Sequence, residues 1–266
     1  MPLRQRAFST SRRSLLIILT LLLSLSIPGW ASQSQGTADS EAAGIAARSV
    51  EAMGGQAAWD AVRYLRFDFF GFRTHHWDRH AGHHRLEGKT RDGDSYVILL
   101  DLHSPADARQ GDAWLNGEKL SGDDEAQRLD YAWSAWINDV YWLLMPLKLR
   151  DPGVHLTSEG TEEIDGTNYQ KVKLTFDGVG LTPGDTYWAW FEPKTGLMRR
   201  WAYHLENWEA DREPTAWDWL DWQTYGDVKM SGVRRNVGDG SERPLADIAI
   251  FDELPGSVFT SPDPLP

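Results

Sequence analysis

The sequence predicts a mainly β, α+β fold built on an antiparallel sheet, and three observations predict it. Apolar runs with a period of two recur along most of the chain. Tight-turn signals such as Asn116-Gly117, Asp165-Gly166 and Pro193-Lys194-Thr195-Gly196 separate them. Helical periodicity is confined to the opening and to one central stretch, so strands do not alternate regularly with helices as in a doubly wound fold.

The elements follow in order. A helix starts at Asp39 or Ser40, with Ala42, Ile45, Ala46, Val50 and Met53 at helical spacing, and Gly54-Gly55 ends it. A short helical turn through Ala57, Trp59 and Ala61 follows. Val62 to Trp77 reads as one long aromatic strand segment, and Asp78 to Gly82 as a polar turn. His83 to Lys89 returns as its partner, Ser95 to Leu102 suits a central strand, and Ala113 to Leu120 holds a tight turn. Asp123 and Asp124 then open the long helix, where negative charge favours the positive end of the helix dipole. Leu129, Trp133, Trp136, Val140 and Leu143 form its apolar stripe, and Met145-Pro146 closes it. Hairpins complete the chain: Tyr169 to Phe176, Thr186 to Phe191, Leu197 to Leu205, Trp217 to Tyr225 with Val228 to Val237, and Asp247 to Phe251.

The start of the chain points to export. Arg4, Arg6, Arg12 and Arg13 precede an uncharged apolar run from Leu15 to Ile27, and Gly29-Trp30-Ala31 supplies small residues for cleavage. The expected organisation is a signal peptide at 1–31, a flexible leader at 32–39 and a single domain at 40–266. The run is short for a membrane span and favours the Sec route, with Arg12-Arg13 as a weaker twin-arginine signal. The expected location is periplasmic or secreted. The absence of cysteine excludes disulfides, thiolate metal sites, cysteine nucleophiles and a lipid anchor on cysteine. Removing the signal peptide with its four arginines takes the formal charge from −12 to −16, which argues against nucleic acid as a partner.

The segments Asp165-Gly166-Thr167-Asn168-Tyr169, Glu192-Pro193-Lys194-Thr195-Gly196-Leu197 and Leu254-Pro255-Gly256-Ser257-Val258-Phe259 resemble recurring features of the LolA/LolB-like superfamily, the periplasmic lipoprotein-carrier fold. Ala52-Met53-Gly54-Gly55 followed by Trp59 resembles the opening of secreted proteins grouped near it. The resemblance implies a strongly curved antiparallel sheet, a half-barrel, with helices covering its concave face and an acyl chain held between. Fold can transfer in this way without function.

Fourteen tryptophans, thirteen after the leader, point to an aromatic core or a lined cavity. The candidate ligand-binding residues are Trp133, Trp136 and Trp142 on the long helix and Trp188, Trp190, Trp201 and Tyr203 on strands. Trp188 and Trp190 share one face of their strand and Tyr187 and Phe191 the other; alternation alone leaves open which face is interior. Asp139 shares a helix face with Trp136 and Trp142, with Lys148 or Arg150 as expected ion-pair partners. His76, His80 and His84 are candidate zinc or copper ligands if a hairpin brings His76 and His84 face to face, against the plainer reading of a polar hairpin tip.

No Ser-centred nucleophile elbow, phosphate loop or nucleotide fingerprint occurs, so no catalytic residue and no cofactor is assigned and enzyme activity stays an open question. The leading expectation is a non-catalytic binding protein for a hydrophobic or amphipathic molecule or acyl chain. Two alternatives are a carbohydrate-binding or carbohydrate-active protein, using Trp208, Trp217, Trp219 and Trp222 among carboxylates, and an envelope-stress sensor acting through an envelope protein partner. Oligomeric state is not legible in the sequence.

Overall fold

Asp39 sets the entry to the fold. Its carboxylate accepts hydrogen bonds from Ala42 N (2.8 Å) and Ser158 N (2.7 Å), which caps helix α1 (Ser40–Ala52) and ties it to a strand far away in sequence. The computed structural model describes residues 36–265, so the expected signal peptide lies outside the described residues. The end of the expected leader is not loose: Ala38 forms a parallel bridge with Leu156, and Leu156 N donates to Thr37 O (2.8 Å). At the C-terminal end of α1, Gly54 takes a left-handed φ of 116° before α2 (Gly55–Ala61). A Cβ there would lie 2.2 Å from the Asp227 carbonyl oxygen, so only glycine fits.

The strands are β1 (Tyr64–Phe69), β2 (Arg73–Asp78), β3 (His83–Lys89), β4 (Ser95–Asp101), β5 (Gln110–Leu115) and β6 (Glu118–Lys119). Helix α3 (Gly122–Leu144) comes next. After it come β7 (Val154–Ile164), β8 (Thr167–Phe176), β9 (Thr186–Phe191), β10 (Met198–His204), β11 (Thr215–Tyr225), β12 (Val228–Asn236) and β13 (Glu242–Phe251). The single strand expected across Val62 to Trp77 is two, because Phe70 and Gly71 adopt positive φ (58° and 74°) and Asp68 Oδ1 accepts the Gly71 N–H at 2.6 Å. The expected last strand starts earlier, at Glu242, and is interrupted by an irregularity where Asp247 takes φ 50°.

All 13 strands join one open antiparallel sheet in the order β6-β5-β4-β3-β2-β1-β13-β12-β11-β10-β9-β8-β7. The chain meanders outward to one edge, crosses by α3 to the other, and meanders back until β13 pairs with β1. The crossing demands curvature. Leu129 of α3 packs with Ala113 of β5, while the Tyr141 ring lies 6.3 Å from Phe176 of β8. Twelve helical residues rise only about 18 Å, yet ten interstrand spacings in a flat sheet would cover about 48 Å. The sheet therefore curls around the helix, as the half-barrel expectation requires.

Three core clusters lie along α3. Leu129, Ala132 and Ala135 meet Leu86, Ile98 and Ala113; Val140, Leu143 and Leu144 meet Leu65, Phe67 and Met230. Met145 and Leu149, just beyond α3, join α1 and the β7–β11 half of the sheet. No helix among the described residues is long and apolar enough to cross a membrane.

Candidate functional site

Strand register decides which aromatic residues meet. Trp201 of β10 stands opposite Ala189 of β9 and Trp217 of β11, and Tyr203 stands opposite Tyr187. Residues two apart share a face, so Tyr187, Phe191, Trp201, Tyr203, Trp217 and Trp219 all look toward α3. Trp142 reaches down from the helix into this set. Its ring lies 4.8 Å from Trp201, 5.4 Å from Trp217 and 5.5 Å from Phe70, each edge to face. Tyr187 stacks on Trp201 at 5.4 Å, and Tyr141 lies 5.7 Å from Tyr187.

The result is an aromatic basin at the seam of α3 and β8–β11. Trp201 and Trp219 are its sealed floor, each 1% exposed, and Tyr141, Trp142, Phe176, Tyr187 and Tyr203 are half-buried above them. Trp208 extends it outward, 5.8 Å from Tyr203. Burial raises the Tyr141 phenol well above its ordinary value, and burial with the neighbouring Asp185 raises Tyr187, so both are neutral. Asp185 is buried and accepts from Thr182 Oγ1 (2.6 Å), Tyr187 Oη (3.1 Å) and Glu206 N (2.9 Å), locking the turn that leads into β9. Such a surface offers apolar contact area with a few neutral hydroxyls, and the buried Arg234 guanidinium lies beneath it, 3.4 Å from the Trp219 ring centroid and donating to Trp142 O.

A polar network occupies the other half of the helix–sheet seam. Asp139 of α3 is fully buried and receives Arg73 Nε (2.5 Å) on Oδ2 and Arg73 Nη2 (2.7 Å) on Oδ1. His75 Nε2 lies 2.8 Å from the same Oδ2, and its Nδ1 lies 3.0 Å from His84 Nε2. The His75 ring stacks on Phe67 at 4.5 Å and 2°. Burial lowers His75 and His84 despite the pull of Asp139 on His75, so both are neutral imidazoles. Burial by itself would raise the Asp139 carboxyl, but the hydrogen bonds from His75 and Arg73, with the charge of Arg73, outweigh it and hold it low. The carboxylate is sealed from solvent, and the network fastens α3 to β2 and β3.

The candidates therefore separate. Trp142, Trp201 and Tyr203 converge in the basin. Trp188 and Trp190 stand on the opposite, outer face of β9, where they do not line the space beneath α3; their neighbours are Ile164, Tyr169, Ala202 and Ala216. Trp133 lies under the Arg109 guanidinium, 3.9 Å from its ring centroid, and Trp136 meets Trp77 edge-on at 5.2 Å. The expected facing of His76 and His84 is corrected by the register, which pairs Trp77 with His84 and His76 with Arg85 and so puts the two imidazoles on opposite faces. His80 sits in the turn with Nε2 3.2 Å from Asp60 O. Among the described residues no three metal-ligating groups converge. Asp139 pairs with Arg73 rather than Lys148 or Arg150; Lys148 is taken by Asp151 at 2.5 Å. Trp217 and Trp219 are core residues of the basin floor, so the sugar-type site expected from them does not form on the surface.

Tyr141, Phe176, Tyr187 and the Arg73–His75 pair were not anticipated as site residues. The alternation of Tyr187 with Trp188 marked two aromatic faces, but only cross-strand register shows which one meets Trp201.

A profile of a family of unknown function, DUF6503, matches residues 122–218, from α3 to the start of β11, and so spans most of the basin. No curated protein matches the chain. Similar solved structures include a DUF1329 family protein from Desulfovibrio piger (14% identity, 82% of this chain and 96% of that one, TM-score 0.40). Another is a putative outer membrane lipoprotein-sorting protein domain from Vibrio parahaemolyticus (8% identity, 82% and 96%, TM-score 0.43). The Mycobacterium tuberculosis lipoprotein LppX is also similar (13% identity, 61% and 88%, TM-score 0.26). At these scores the likeness is one of general architecture, and no ligand is carried over from it.

Proposed function

We propose that this chain is an exported, non-catalytic binding protein that holds a hydrophobic or amphipathic, lipid-like molecule between its curved sheet and α3, at the aromatic basin. The observation that carries the reading is the stack of half-buried Tyr141, Trp142, Phe176, Tyr187 and Tyr203 over a sealed tryptophan floor. Aromatic side chains that remain half-exposed together retain apolar area which an acyl chain can cover. At about 25 cal/mol per Å² such coverage is a substantial driving force. The neutral Tyr141 and Tyr187 phenols supply hydrogen bonds for a polar head. Export rests on the leader sequence, and a periplasmic or secreted location follows from it.

The test is native mass spectrometry of the protein purified from its host's envelope, before and after organic extraction, with tryptophan emission followed in parallel. A lipid-sized adduct lost on extraction, with a shift in emission, is the expected result. A clean apo mass together with unchanged emission would remove the basis of the proposal.

A further inference from the structure

The outer face of the second half of the sheet points away from the basin. A groove of about 480 Å³ lies there, with Trp188, Ala202 and Ala216 at its floor and Glu162, Lys171 and Arg200 at its walls. That volume is in the range of small-ligand pockets. Two cross-strand rows build it. In one, Trp188 of β9 stands beside Ala202 of β10, and Ala202 beside Ala216 of β11. Two methyl-sized side chains next to an indole leave a trough two strands wide, about 10 Å across. In the other row, Lys171, Trp190, Arg200 and Asp218 follow one another across β8 to β11.

We propose that this groove binds a neutral saccharide. Its floor is indole and methyl, the kind of surface on which the C–H face of a pyranose packs. Its walls are charged, and those charges are engaged in ion clusters within the protein. Lys171 Nζ lies 3.0 Å from Glu162 and 3.5 Å from Glu159, and Asp218 is shared by Arg200 Nε (2.7 Å), Arg199 Nη1 (2.8 Å) and Arg235 Nη2 (3.6 Å). Charges of both signs, already engaged with one another, present hydrogen-bond donors and acceptors around an apolar floor, which is what ring hydroxyls need. The trough lies open on the sheet surface, whereas an acyl chain would need cover over its length. The site sits on the opposite face from the basin, so the two proposals stand or fall separately.

The test is isothermal titration of the full mature chain with cellotetraose, maltotetraose and the tetramer of N-acetylglucosamine. Saturable heat from at least one of them is expected, weakened at least tenfold in Trp188→Ala and abolished in Ala216→Arg, which fills the trough. Circular dichroism of both variants checks that they fold, and their envelope-derived adduct should be unchanged. The proposal is overturned by no saturable heat from any of the three sugars at millimolar concentration. It is equally overturned by binding that survives Ala216→Arg, or by sugar binding that is lost in Tyr203→Ala instead.

Discussion

Asp139 of α3 and Arg73 of β2 are joined by two hydrogen bonds, Nε to Oδ2 at 2.5 Å and Nη2 to Oδ1 at 2.7 Å, with the carboxylate fully buried. The pair binds the crossing helix to the half of the sheet that the chain left before entering it. Asp139 also neighbours His75, so one carboxylate organises an arginine and a buried imidazole.

Removing that carboxylate leaves a mostly buried guanidinium unpaired. Asp139→Ala is expected to cost about 3–5 kcal/mol, read from urea unfolding. Arg73→Lys keeps the charge but not the two-pronged geometry, so it should also destabilise. An apolar pair, Arg73→Met with Asp139→Leu, should recover much of the loss. If Asp139→Ala unfolds at the wild-type midpoint, α3 is held by packing alone.

Acid should loosen the fold through its buried imidazoles. Burial lowers His75 and His84 below 6.5; burial, with the nearby charges of Arg85 and Arg66, pushes His76 down to about 4. An imidazole whose folded pKa is depressed binds its proton more readily in the unfolded chain. Its stabilising share is therefore complete above the ordinary value of 6.5 and declines as pH falls below it, for His76 down to about 4. Asp139, held below 3.8, adds a separate loss only at lower pH. Urea midpoints should fall from pH 7.5 to 5, with a shallower fall in His76→Gln. A midpoint that rises on acidification contradicts the assignment of neutral buried imidazoles.

The C-terminal segment is held by one buried cation. Arg85 is fully buried, pairs with Glu87, and donates to the carbonyls of Val258 (3.3 Å), Ser261 (2.5 Å) and Asp263 (2.8 Å). Phe259 of the same segment stacks on Tyr64 at 6.1 Å. Truncation after Pro255 strips Arg85 of those acceptors and uncovers β1–β3. It should cost about 3 kcal/mol or more, with Arg85→Met in the truncated chain restoring part of it. Equal thermal midpoints for full and truncated chains would show that the segment is dispensable.

Gly54→Ala places a side chain at φ 116° and 2.2 Å from the Asp227 carbonyl oxygen. Strain of this kind costs about 1–3 kcal/mol, and the collision with backbone adds to it. The same turn is docked by Lys229 N on Met53 O at 2.8 Å, so the α1–α2 corner should exchange amide hydrogens faster in the variant. Unchanged protection at Lys229 would sink this prediction.

Much of the fold is legible because local patterns carry it. The stripe Leu129, Val140 and Leu143 marks α3, and Asn116-Gly117 and Asp165-Gly166 mark turns whose residues do adopt positive φ. The break at Phe70-Gly71 was hidden, because a phenylalanine at φ 58° is an uncommon turn residue. The site was legible only in part. Trp142, Trp201 and Tyr203 are recognisable as lining residues by type and position. That Trp188 looks outward, and that Asp139 finds Arg73 66 residues away, are facts of register and long-range packing.

The sequence by itself determined the periodicities, the turns, the long helix and the supply of aromatic side chains, since each depends on neighbours within a few residues. Tertiary structure alone decided which face of β9 is interior, which carboxylate is sealed, and how far the sheet curls. Those depend on α3 spanning two sheet edges at once: a helix of fixed rise pulls distant strands toward it, and the side chains that then meet are chosen by geometry that no local pattern records.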